Sequence, residues 1–217
     1  MLSQGQSADT LGSRRWAAGT EVGWGTNASW WTASNLGHPE VRSGWVGVGR
    51  FRYGLSDDWD VGLVSGRGPL GTTVLGPEAK WRFVHVAPEK TPGSPGFHAA
   101  WVNGLGVGSS RYPYEVNDGQ PIPRHLYLAP YTGVLGSGGI DVVKMFVGLR
   151  LAASETLGNI YSDLTLYPTF AFGVVLQPAP WLMIHAEGDL AAGITTHDYS
   201  DTGILAYPSV GITIAPD

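Results

Sequence analysis

The sequence predicts an all-β protein: a closed, antiparallel, up-and-down transmembrane β-barrel of about ten strands, with eight as the alternative count. Three observations predict it. Segment after segment alternates with a period of two, placing apolar or aromatic side chains on one face and ionisable ones on the other. Turn-forming clusters of Gly, Pro, Asp and Ser separate these segments at fairly even spacing. Charge is also scarce. Only 14% of the 217 residues are charged, against about 25% in ordinary soluble domains, while glycine stands at 32 and tryptophan and tyrosine at nine each. Mean hydropathy is nonetheless close to zero, and no run approaches the roughly 18 apolar residues of a spanning helix. A barrel reconciles these facts, because only alternate residues of its strands meet lipid.

Residues 1–14 are polar and unpatterned and are expected to form a flexible tail ahead of a single barrel domain at 15–217. The tail lacks the apolar stretch of a secretory signal, so an export leader is expected to lie outside this sequence. Strand one, 15–25, sets Trp16, Val22 and Trp24 against Glu21. Strand two, 42–55, sets Trp45, Phe51 and Tyr53 against Arg50 and Arg52. Strand three, 58–67, sets Trp59, Val61 and Leu63 against Asp60, and strand four, 77–87, sets Trp81 and Phe83 against Glu78, Lys80 and Arg82.

Strand five, 97–109, carries Trp101 and the run from Gly104 to Gly108. No helix follows that run, so it is no phosphate loop; glycine there lets a curved wall accommodate large neighbours. Strand six is 124–136. Strand seven, 140–152, opposes Val143, Met145, Val147, Leu149 and Leu151 to Lys144 and Arg150. Strand eight is 163–177. Strand nine, 180–193, opposes Leu182, Ile184, Ala186 and Leu190 to His185, Glu187 and Asp189, and strand ten is 203–215.

Between strands, Ser56-Asp57-Asp58, the run 136–139 and the run 177–180 read as tight turns. The segments 26–41, 109–123, 153–162 and 194–202 read as long polar loops, with 68–76 and 88–96 intermediate. Short turns on one rim and long loops on the other are the layout of bacterial outer-membrane barrels. An even strand count puts both termini on the short-turn, periplasmic rim.

The charged face holds Glu21, Asp60, Glu78, Glu187 and Asp189 against Arg50, Arg52, Lys80, Arg82, Lys144 and Arg150. Buried charges must be paired, and an eight- to ten-stranded interior is narrow enough for side chains to fill. A salt-bridged, largely closed lumen is therefore expected, with His185 among its members. On the opposite face Trp16, Trp24, Trp45, Trp59, Trp81, Trp101 and Trp181 are expected at the membrane interfaces, where amphipathic rings are favoured.

Three stretches carry the resemblance to a known family: FRYGLSDDWDVGL at 51–63, VLQPAPWL at 175–182, and the closing strand YPSVGITI at 207–214. With the alternation and turn spacing over 15–216, the chain resembles small bacterial outer-membrane β-barrel proteins, the kind that includes OmpA-like membrane domains and their eight- to ten-stranded relatives. It departs from their pattern by ending on Ala215, Pro216 and Asp217 where an aromatic residue is usual. The resemblance implies a place in the cell envelope of a Gram-negative bacterium, contact with the bilayer, and a structural or partner-interaction role.

Some residues also fit other functions. His185 with Glu187 or Asp189, and Ser209 on the neighbouring strand, could supply a base, an orienting carboxylate and a nucleophile for a barrel enzyme acting on lipid or peptide; the lumen reading is preferred because charged interiors are the rule in such barrels. A narrow pore and a soluble ligand-binding barrel are further alternatives. His197, Asp198 and Asp201 could hold a cation, but their spacing matches no established loop and an exposed polar loop is preferred, so neither metal nor cofactor is expected. Trp30, Trp31, Tyr112 and Tyr114 are candidate partner-binding loop residues, toward other envelope proteins or surface glycans. The net charge of −5 leaves no basic footprint for nucleic acid, and the absence of cysteine removes disulfides and thiol chemistry.

Overall fold

The computed structural model describes residues 7–30, 40–68, 72–86, 94–111, 124–140, 142–157, 164–195 and 202–216. Ten strands fill almost all of them: β1 (Trp16–Trp30), β2 (Glu40–Gly54), β3 (Trp59–Arg67), β4 (Thr73–Val86), β5 (Gly96–Arg111), β6 (Arg124–Ile140), β7 (Val143–Leu157), β8 (Leu164–Ala179), β9 (Leu182–Thr195) and β10 (Thr202–Ile214). Each pairs antiparallel with its sequence neighbours, and β1 pairs with β10 to close the barrel. Closure leaves no unpaired strand edge, so every strand has two partners for its backbone groups.

All ten expected strands are present, and most extend further than the alternation suggested. β1 continues to Trp30, β7 to Leu157 and β4 begins at Thr73, so the long connections shrink to 31–39, 112–123, 158–163 and 196–201. The ladder runs on past the amphipathic stretch because backbone pairing needs no particular side-chain pattern. One expected turn lies inside a strand, and another is displaced by two residues, to Pro180 and Trp181. Residues 136–139 belong to β6, with Gly136 opposite Val147 and Gly139 opposite Lys144, and only two residues separate β6 from β7. Gly139 takes a φ of 149°, and a Cβ there would lie 2.3 Å from the Val143 carbonyl oxygen. β8 likewise runs to Ala179 through a register shift between Leu176 and Ala179; the irregularity accommodates Pro178, which has no N–H to give the ladder. The expected tight turn at Ser56, Asp57 and Asp58 is found between β2 and β3.

The two faces separate as the alternation requires. Outside stand Val22, Leu63, Leu75, Val107, Met145, Leu149, Phe172, Ile204 and Val210, all exposed. Trp16 stacks on Phe51 and Trp59 on Trp81, while Trp24 meets Trp45 edge-on at 5.3 Å. Inside, aromatic rings lie over glycines. A Cβ on Gly104 would fall 2.2–2.4 Å from the Tyr131 ring, and one on Gly173 would fall 2.5 Å from the Phe146 ring. The glycines on these strands are thus seats for inward rings, which keeps a ten-stranded interior filled without bulging the wall.

One irregularity places side chains. At the β4–β5 pair the register shifts between Arg82 and Val84. Up to that point Glu78, Lys80 and Arg82 point inward; beyond it the parity reverses, and His85 comes opposite the inward His98. A bulge that inserts one residue exchanges the faces of the strand residues beyond it.

Candidate functional site

The candidate site is the lumen. Every side chain expected there is inward. Lys80, Asp60 and Asp189 are each 1% exposed, and Glu21, Glu78, Arg52, Arg150, His185 and Glu187 are buried. Arg50 reaches Glu21 at 3.9 Å, and His185 Nε2 lies 3.4 Å from the same carboxylate. Arg82 sits at the rim, paired to Asp58 at 3.0 Å.

The tail expected at 1–14 turns inward from Ser7. Ala8 is fully buried, and its N–H donates to Ser137 Oγ at 3.1 Å. The Asp9 carboxylate meets Lys144 Nζ at 2.9 Å and His98 Nε2 at 3.0 Å, and Ser7 Oγ donates to it at 2.9 Å. Lys80 donates to the Ser7 and Asp9 carbonyl oxygens while standing 3.4 Å from Asp60. The Leu11 N–H donates to the Asp60 carboxylate at 3.1 Å. At the exit the Arg14 N–H donates to Gly54 O, and a Cβ on Gly54 would lie 1.8 Å from Gly12 O, so only glycine lets the segment cross β2 there. Burial pushes the Asp9 carboxyl up, but Lys144 and His98 outweigh it and hold it below its ordinary range.

Asp9 also adds to the lumen charges. Its carboxylate joins the five from the strands, and, with the rim pair of Arg82 and Asp58 set apart, these six face Arg50, Arg52, Lys80, Lys144 and Arg150 among the described residues. Farther from the short-turn rim, Tyr131 Oη donates to Glu78 Oε2 at 2.6 Å, and the Arg150 guanidinium lies 5.7 Å from the centre of the Tyr131 ring. The cavity lined by Glu21, Arg50, Arg52 and His185 is about 10 Å³, room for about one water.

The enzyme constellation is only partly assembled. Ser209 is opposite Glu187 in the β9–β10 register, whereas His185 is opposite Gly211. The His185 ring leans over Gly211 toward Glu21 of β1, and among the described residues no hydrogen bond joins it to Ser209. The seven outward tryptophans, Trp16, Trp24, Trp45, Trp59, Trp81, Trp101 and Trp181, are all exposed; Trp101 Nε1 donates to Thr132 Oγ1 at 2.8 Å. Trp30 ends β1, while Trp31, Tyr112, Tyr114, His197, Asp198 and Asp201 lie outside the described residues.

Sequence reading missed Asp9, His98, Tyr131, Tyr207 and Ser137 as lumen residues. The period-two pattern of β5 did carry a signal for His98, which shares parity with the inward Ala100 and Val102. Asp9 carried none, because its position depends on no pattern of its own.

No protein-family model matches the chain, and no curated protein matches it. Among solved structures, it is similar to the outer membrane protease OmpT from Escherichia coli, at 11% identity and a TM-score of 0.49 over 97% of this chain and 100% of that one. It is similar to Ail, the attachment invasion locus protein of Yersinia pestis, at 15% identity and a TM-score of 0.25, over 90% and 97%. Neisserial surface protein A matches at 9% identity and a TM-score of 0.29, over 91% and 97%. Likenesses this distant say nothing of function; what the chain's own residues establish is a closed ten-stranded barrel with an apolar exterior and a charged interior.

Proposed function

We propose that the chain is an integral outer-membrane barrel with a closed lumen, serving a structural or partner-interaction role through its long loops. The observation that carries this reading is the interior: carboxylates interleaved with arginines and lysines, with the Ser7–Leu11 stretch inserted among them. Such a network supports a rigid stave assembly and a closed lumen. The exposed apolar wall supports bilayer contact, since soluble monomers rarely expose continuous apolar patches beyond a few hundred Å². The tryptophans support it too. Trp16 to Trp24 is eight residues of strand, about 26 Å along the strand and about 20 Å along the normal at a tilt near 40°, which separates two aromatic belts by nearly the height of an apolar band.

The test is electrical. The purified barrel is reconstituted into planar bilayers and its current recorded. A silent trace from protein shown by gel shift to be inserted and folded supports the closed lumen; a stable open current refutes it and favours the narrow pore.

A further inference from the structure

The geometry points to a divalent transition-metal site at the short-turn mouth of the barrel, formed by His85 and His98 and oriented by Asp9. The two Nδ1 atoms face each other at 3.0 Å, with ring centres 4.8 Å apart and planes inclined by 32°. Metal–imidazole bonds of about 2.0–2.1 Å place neighbouring nitrogens about 2.9 Å apart in a square plane and about 3.4 Å apart in a tetrahedron. The observed spacing falls between these values, so an ion enters with a small rotation of either ring.

The far side of His98 decides which nitrogen is available. Its Nε2 lies 3.0 Å from Asp9 Oδ1. A hydrogen on Nε2 donated to that carboxylate leaves Nδ1 with its lone pair directed at His85. This is the outer-shell arrangement by which a carboxylate fixes the tautomer of a metal-binding histidine. Without metal, His85 Nδ1–H donates to His98; with metal, the cation takes the place of that hydrogen, and His85 carries its proton on Nε2.

Access and selectivity follow from position. His98 is 8% exposed and held in place, whereas His85 is exposed at the end of β4, so an ion approaches from the short-turn side and lands on a fixed first ligand. Among the described residues no third His, Cys, Asp or Glu completes a set, so water fills the remaining positions. Two imidazoles with water oxygens suit copper(II) best among first-row divalent ions, followed by nickel and zinc. The register shift at Phe83 is what makes the pair: without it, His85 would face outward.

The experiment titrates copper(II) into the folded, detergent-solubilised protein, with electron paramagnetic resonance as readout. One equivalent should bind with hyperfine structure from two nitrogens, and H85A should lose that signal while retaining its gel shift. D9N should weaken binding about 10- to 100-fold with the same two nitrogens. Wild-type affinity no greater than that of H85A, or a nitrogen pattern unchanged by the substitution, overturns the site. Diethyl pyrocarbonate labelling of wild type gives a readout free of variant folding: copper should protect the exposed His85, and labelling of His85 unchanged by copper refutes the assignment.

Discussion

Replacing Lys80 by methionine tests whether the inserted N-terminal segment and the lumen charges form one network. Lys80 is 1% exposed, stands 3.4 Å from Asp60, and donates to the carbonyl oxygens of Ser7 and Asp9. Methionine keeps the volume and removes the charge. Asp60 then retains Arg52 at 3.5 Å and the Leu11 N–H, so the loss falls at the low end of the 3–5 kcal/mol expected on breaking a buried pair. About 3 kcal/mol corresponds to roughly a 150-fold change in the unfolding constant. Urea unfolding in lipid vesicles, followed by tryptophan emission and by gel shift, measures it. Trypsin supplies a second readout: Arg14 is pinned by its N–H bond to Gly54, and release of the segment should speed cleavage after Arg14 and Arg15. Adding D60N to K80M should destabilise further, because it takes from buried Arg52 its carboxylate partner at 3.5 Å. A K80M protein within about 1 kcal/mol of wild type, with its segment still resistant to trypsin, refutes the network.

Three further outcomes are expected. Deleting residues 1–11 should loosen the short-turn mouth without giving a steady open current, because Arg50, Arg150, Tyr131 and Tyr207 still project into the lumen; planar-bilayer recording decides this. G104V should destabilise by about 1–3 kcal/mol, since its first added carbon would fall on the Tyr131 ring, and Y131L in that background should recover part of the loss in the same urea assay. In vesicles of brominated lipid, tryptophan emission should be strongly quenched, because the outward tryptophans face the bilayer; emission equal to that in unbrominated vesicles would contradict the membrane orientation.

Much of the barrel was legible residue by residue. Arg50 against Phe51, Lys144 against Met145 and Glu187 against Ala186 each declare a face, and these declarations hold along whole strands. The errors were local too. The run 136–139 reads as a turn yet sits in β6 with Ser137 inward, and the turn expected at 177–180 falls at Pro180 and Trp181, because a register shift around Pro178 carries β8 on to Ala179. The catalytic constellation showed the opposite limit: Ser209 and His185 share a face, but two residues of register separate them.

The sequence by itself determined strand number, the two faces and the short-turn rim, because alternation and turn chemistry act over about ten residues and need no knowledge of the rest of the chain. Only the tertiary structure decided who meets whom inside. Asp9 reaches Lys144 across the lumen, His85 reaches His98 through one inserted residue, and His185 turns to Glu21 across the closure of β9, β10 and β1. Those meetings depend on register, on the closing strand pair and on a segment with no periodicity of its own, and none of these is written in the local pattern of any one strand.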